Sequence, residues 1–143
     1  MIHVQTQDFD PGKEIEQLRR RSSGQAGAIV SFIGLVRDMN DSRAIQQMTL
    51  EHYPGMTEKA LEKIEQQARE QWEVTGSLII HRVGPLGPND RIVFVAASST
   101  HRKNAFRACE FMIDVLKTNA PFWKKEETAS GPRWVKQCES NSS

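Results

Sequence analysis

The chain has 143 residues, enough for one compact domain and too few for two full cores. Its 19 Lys and Arg against 18 Asp and Glu leave a net charge of +1, which argues against a general nucleic-acid or membrane binder held by excess basic charge. The opening MIHVQTQDFD lacks the basic and apolar pattern of a secretory leader, so none is expected, and no apolar run approaches the roughly 20 residues that span a bilayer.

Residues 2–6 alternate enough to predict a short strand. A helix is expected over about Lys13–Arg21, after Pro11, with Ile15 and Leu18 on one face. Ala28–Ile33 is an apolar, β-branched run that reads as a buried strand ending at Gly34. Residues 37–43, RDMNDSR, are polar and turn-forming. Ile45–Tyr53 alternates as a strand that Pro54–Gly55 stops. Thr57 is expected to cap a helix to about Trp72, with Glu58 near its positive end and Leu61, Ile64 and Ala68 at helical spacing.

Leu78–Val83 reads as a strand, and GPLGPND (84–90) as a loop. Arg91–Ser98, RIVFVAAS, is the strongest strand signal in the chain. Ser99 or Thr100 is expected to cap a helix to about Leu116. Its apolar face is Ala105, Phe106, Cys109, Met112, Ile113 and Leu116; its polar face is Lys103, Arg107, Glu110, Asp114 and Lys117. Pro121 predicts that 116–126 is a constrained loop, and Arg133–Gln137 a last strand. Strands mixed with three helices, without a regular parallel series, predict an α+β single domain over 1–139, with a polar end at 140–143 that frays.

The two cysteines, Cys109 and Cys138, form no CxxC, and no His/Cys cluster has zinc-ligand spacing, so no metal is expected. Cys109 lies in an apolar helical stripe and reads as a buried free thiol, which favours a reducing, cytoplasmic location.

Three segments could carry chemistry. His101, Arg102 and Lys103 open the long helix, where the helix dipole is already positive. Their company is unfavourable unless they reach water or an oxyanion binds there; both readings stand. Lys117 and Lys124 bracket Phe122 and Trp123. Lys117 is either an ordinary cation at a helix C-terminus beside Asp114 or an ammonium aimed into a pocket walled by Phe122 and Trp123. In such a pocket desolvation and a second cation favour a proton-transferring or nucleophilic amine. Arg37 ends the 28–34 strand, where it is a surface arginine or a bidentate phosphate ligand. Glu51 and His52 are strand neighbours pointing to opposite faces, which argues against an acid–base pair.

Four segments in this order, SFIGLVRD (31–38), LEHYPGMTEKAL (50–61), SSTHRKNAF (98–106) and LKTNAPFWKKE (116–126), with IHRVG (80–84), resemble the MoaE family, the large catalytic subunits of molybdopterin synthase. The resemblance covers nearly the whole chain and departs mainly at 38–44, DMNDSRA. It implies an α/β-hammerhead-like fold. It implies a sulfurtransferase of molybdenum-cofactor biosynthesis, in which a small ubiquitin-like partner carries a C-terminal thiocarboxylate. Two transfers then convert cyclic pyranopterin monophosphate into the molybdopterin dithiolene. No cofactor is implied, since sulfur arrives already activated.

The resemblance also implies residue roles: Lys117 and Lys124 catalytic, and Arg37, His101 and Arg102 on the phosphate and pterin. Leu35, Val36, Lys125 and Glu126 then line the pocket. It implies a central homodimer with one small subunit at each end, a heterotetramer. A helix of about 15 residues is roughly 22 Å long. His101 and Lys117 therefore hardly reach one small substrate within one chain, and a twofold pair is the expected remedy. The alternatives are an anion- or RNA-binding module using the same basic and aromatic residues, and a scaffold that binds the tail without chemistry.

Overall fold

The computed structural model describes the backbone of residues 1–37, 39–40, 43–128 and 131–136, and the side chains of 1–37 and 47–124. The expected tail at 140–143 and Cys138 lie outside the described residues. The elements run β1 (Ile2–Gln5), α1 (Pro11–Ser22), β2 (Ala28–Leu35), β3 (Met39–Asn40), β4 (Arg43–His52), α2 (Met56–Gln71), β5 (Val74–Arg82), β6 (Gly84–Leu86), β7 (Arg91–Ser99), α3 (Arg102–Asn119), β8 (Phe122–Thr128) and β9 (Gly131–Lys136). This is an α+β single domain.

Two sheets share the chain. The first has the order β1-β5-β7-β2, with β1 parallel to β5 and the other pairs antiparallel. The second runs β3-β4-β8-β9, with β6 added to β4. The unbroken apolar run of β7 fits its central place, because helices cover both faces of its sheet. On one face α1 packs Leu18 with Phe9 against Leu78, Ile80, Phe94 and Ala96. On the other, α2 and α3 bury Leu61, Ile64, Ala108, Met112 and Leu116 against Ile79, Val93 and Val95. Met48, Leu50 and Phe122 of the second sheet join this larger cluster, so one core ties both sheets together.

The segment expected as a loop at 116–126 is instead the last turns of α3 followed by β8, which pairs with β4 from His52↔Phe122 to Ile45↔Thr128. Pro121 ends the helix but leaves the next residue free to enter a sheet. Part of the GPLGPND stretch is likewise strand: Gly84–Leu86 pair with β4. The Thr57 hydroxyl does not cap α2. Gly55 is the N-cap, and buried Thr57 takes a bond from the Tyr53 amide (3.1 Å) and donates to the Pro121 carbonyl (3.3 Å). That hydroxyl therefore links β4, α2 and the start of β8. Ser99 is also no cap: it ends β7 and gives its hydroxyl to the Glu73 carbonyl, so α3 begins at Arg102 with His101 as N-cap. On α3 the buried face gains Ala108, while Phe106, expected inside, is 61% exposed.

His81 of β5 is fully buried and stacks on Phe122, with ring centroids 3.8 Å apart. Burial drives its pKa from the usual 6.5 down to about 4; the carbonyl of Arg82, 2.9 Å from Nδ1, opposes the shift and nearby His52 adds to it. The folded chain thus holds His81 neutral while the unfolded chain protonates it. Its stabilising contribution is complete above pH 6.5 and falls as pH drops toward 4. Urea unfolding at pH 7, 5 and 4 should show wild type losing about 3 kcal/mol more than His81→Phe over that window.

Candidate active site

The clefts that hold the candidate residues are set by the two ends of α3. At its C-terminal end, β2 must pass close to β7. A Cβ on Gly34 would lie 2.6 Å from Cγ1 of Val93, so only glycine fits there, and the register breaks just after it. The chain beyond is held by two backbone bonds, Val36 amide to Asp90 carbonyl (2.9 Å) and Asn89 amide to Val36 carbonyl (2.7 Å). Val36 turns inward and is buried, while Leu35 and Arg37 stay exposed. The last turn of α3 brings Lys117 to the same place, half-buried, with Nζ 5.9 Å from the centroid of the Phe32 ring. Phe32, Leu35, Arg37, Ile113, Leu116 and Lys117 line one cleft of about 290 Å³.

At the N-terminal end of α3 a second cleft, about 590 Å³, is lined by Gly27, Thr100, His101, Arg102, Lys103 and Asn104. Gly27 is required here as well: a Cβ would sit 2.2 Å from the Thr100 carbonyl oxygen, and its amide donates to the Ser99 carbonyl (2.8 Å). No side chain caps α3 and its first turn has no acidic residue. Free amides, the positive end of the dipole and three basic side chains therefore all face one opening, an arrangement suited to an oxyanion.

The described geometry brings Arg37, Leu35 and Lys117 together and gathers His101 and Arg102 elsewhere. α3 runs on to Asn119, but Lys117 follows His101 and Arg102 by only 16 and 15 residues, so the two groups are about 23 Å apart along the helix, close to the separation expected. Lys124 is on β8, 4% exposed, opposite Leu50 and Val135. It shares the inward face of the strand with Phe122. Phe122 is therefore core, stacked on His81, rather than pocket wall. Trp123 points the other way and packs edge-on against Tyr53, at 6.4 Å. Lys125 and Glu126 continue β8 opposite Thr49 and Met48; their side chains lie outside the described residues.

Two liners escaped the sequence reading, Phe32 and Ile113. The period-two pattern of β2 places Phe32 with Val30 on the α3 side, a signal that becomes useful only once the helix is known to pack there. Cys109 meets its expectation as a buried thiol: its Sγ lies 3.6 Å from the Val95 carbonyl, and burial pushes its pKa up to about 11.

The sequence model described as MoaE protein matches residues 4–119. The chain belongs to the MoaE family. It is 58% identical over 134 residues to the molybdopterin synthase catalytic subunit of Ralstonia nicotianae, covering 94% of this chain and 76% of that one. The solved molybdopterin biosynthesis MoaE protein from Burkholderia ambifaria superposes with a TM-score of 0.85 at 49% identity, over 99% of this chain and 92% of that one. A structure titled protein-protein complex of subunit 1 and 2 of molybdopterin-converting factor, from Helicobacter pylori, shares the fold at 22% identity, with a TM-score of 0.78 over 95% of this chain and 90% of that one. MoaE membership makes the chain a sulfur-transferring enzyme of molybdenum-cofactor biosynthesis, which removes the readings as a nucleic-acid module or an inert scaffold.

Gly27→Ala tests the junction that sets the N-terminal cleft. Its Cβ forces the Thr100 carbonyl away, so the urea midpoint should fall by the equivalent of about 3 kcal/mol.

Proposed function

We propose that the Arg37–Lys117 cleft of one chain and the His101–Arg102 cleft of a second chain form one active site. There sulfur passes from the C-terminal thiocarboxylate of a small ubiquitin-like subunit to cyclic pyranopterin monophosphate. The observation that carries this reading is the convergence of Arg37 and Lys117 on a single cleft, with the other two basic residues held about 23 Å away at the far end of α3. One substrate reaches both sets only across a twofold pair.

The chemistry needs a site that gathers negative charge. Arg37 presents a planar fork suited to phosphate oxygens. His101, Arg102 and the free amides of α3 add a second anion clamp, so the cyclic phosphate is neutralised as its ring opens. Lys117 stabilises the charge that develops as sulfur leaves the acyl carbon, or moves a proton there. The Phe32 ring beside it fixes the ammonium and keeps water from that flank of the cleft. Lys124 adds positive potential from beneath. Sulfur arrives already activated, so the reaction asks for no metal and no further cofactor.

The Helicobacter pylori complex of subunits 1 and 2 supports a small-subunit partner, and the twofold site extends this to a heterotetramer with one small subunit at each end. A reducing, cytoplasmic setting suits thiocarboxylate and pterin alike. No described helix is long and apolar enough to cross a membrane.

A single-turnover assay with thiocarboxylated small subunit and cyclic pyranopterin monophosphate, read as the fluorescent oxidation product of molybdopterin, tests this reading. Lys117→Ala should lower the rate on the order of a hundredfold or more. Mixing Lys117→Ala chains with Arg102→Ala chains should restore part of the activity, because some mixed pairs carry one intact site. No recovery, with each variant inactive alone, would sink the shared site.

A further inference from the structure

The corner that joins α3 to β8 carries the two lysines of the proposed site on its two arms. Lys117 lies on the last turn of the helix, before Pro121, and Lys124 lies on the strand, after it. Any pivot at the corner therefore changes where one ammonium group stands relative to the other. The corner is tight: the Phe122 amide donates to the Ala120 carbonyl (3.0 Å), two residues back. Pro121 between them has no amide to donate, so its carbonyl is the one backbone group by which that residue can be anchored. The anchor is Thr57. Its side chain is fully buried, and its hydroxyl donates to the Pro121 carbonyl (3.3 Å) while accepting from the Tyr53 amide (3.1 Å). A carbonyl only accepts and an amide only donates, so the single hydroxyl proton has one place to go. Thr57 is itself held firmly. Its own amide donates to the Tyr53 carbonyl (2.9 Å), so residues 53 and 57 are bonded to each other twice. Gly55, at φ 88°, makes the turn between them, and Leu61 and Ile64 seat the following helix in the core. Tyr53 adds a second hold on the far side of the corner, its ring standing edge-on to Trp123 at 6.4 Å.

We infer that Thr57 is a positioning residue for the sulfur transfer: through the Pro121 carbonyl it fixes the angle between α3 and β8, and with it the places of Lys117 and Lys124. The hydroxyl touches no substrate and acts only through the two lysines. Reactive geometry tolerates little displacement, since a misplacement of about 1 Å costs on the order of a hundredfold in rate. A corner released from Thr57 therefore loses rate while the fold, held by the common core of both sheets, persists. This inference rests on the assignment of Lys117 and Lys124 to the reaction and goes beyond it in naming what holds them.

The single-turnover assay with thiocarboxylated small subunit and cyclic pyranopterin monophosphate tests this through a series at one position. Each variant is read as a saturating rate and a half-saturating concentration, with urea unfolding alongside. Thr57→Val keeps the shape and removes both hydroxyl bonds. Its saturating rate should fall about tenfold or more while half-saturation stays within about twofold of wild type. Thr57→Ser keeps the hydroxyl and should hold the rate within about threefold of wild type. Thr57→Cys differs from the serine variant by one atom and is a weaker donor, so its rate should fall between the other two; it keeps the test readable if the valine variant does not fold. Ser77→Ala removes a buried hydroxyl outside the corner, one bonded to Glu65 at 2.6 Å, and should lower the urea midpoint without changing the rate. A folded Thr57→Val or Thr57→Cys chain with the wild-type rate, a serine variant as slow as the cysteine one, or a Ser77→Ala chain that slows as much as Thr57→Val each overturn the inference. If Lys117→Ala loses the rate while the Thr57 variants keep theirs, the lysine assignment stands and Thr57 alone loses its role. If Lys117→Ala keeps the wild-type rate, the lysine assignment falls and this inference falls with it.

Discussion

The burial of α3 against β7 and β2 is the constraint on which the rest depends. Ala105 and Ala108 keep the inner face of the helix thin, so it lies close on the sheet, and Met112 and Leu116 fill the space below. A helix seated by that many contacts behaves as a rod. Its length then sets the distance between the basic group at its start and the lysine near its end, and no side-chain rearrangement closes a gap of about 23 Å. The shared site proposed above answers this separation with a second chain.

Electrostatics works locally in this chain rather than through its total charge. The net charge is +1, yet both ends of α3 are positive: one through the dipole and His101, Arg102 and Lys103, the other through Lys117 and Arg37. Basic residues at a helix N-terminus cost a few tenths of a kcal/mol each when nothing is bound. An anion reverses that sign, so the unfavourable term becomes binding energy directed at one ligand class. Two glycines serve this placement. Gly34 lets β2 turn toward the cleft, and Gly27 lets the chain pass the Thr100 carbonyl where α3 begins.

Much of the architecture was legible from periodicity. The alternation of 2–6, the RIVFVAAS run and the helical spacing of Leu61, Ile64 and Ala68 correspond to β1, β7 and α2. The errors share a cause, because each local signal was overruled by a distant partner. Ser99 looked like a cap, but its hydroxyl is taken by the Glu73 carbonyl. Pro121 looked like the centre of a loop, but β4 supplied an edge for β8. Phe106 looked like core, but the sheet ends beneath it at β2 and leaves the ring outside. Phe122 was read beside the wrong neighbours, since its stacking partner His81 lies 41 positions earlier in the chain.

By itself the sequence determined the family, the α+β class and the basic residues that carry the proposed chemistry, because these depend on residue identity and on short-range spacing. Tertiary structure alone decided which of those residues meet. Arg37 and Lys117 are 80 positions apart and share a cleft because β2 and α3 pack side by side. His101 and Lys117 are 16 positions apart and cannot meet within one chain, because the helix between them is rigid. Spacing along the chain fixes distance only within an element; between elements, distance comes from which faces are buried together.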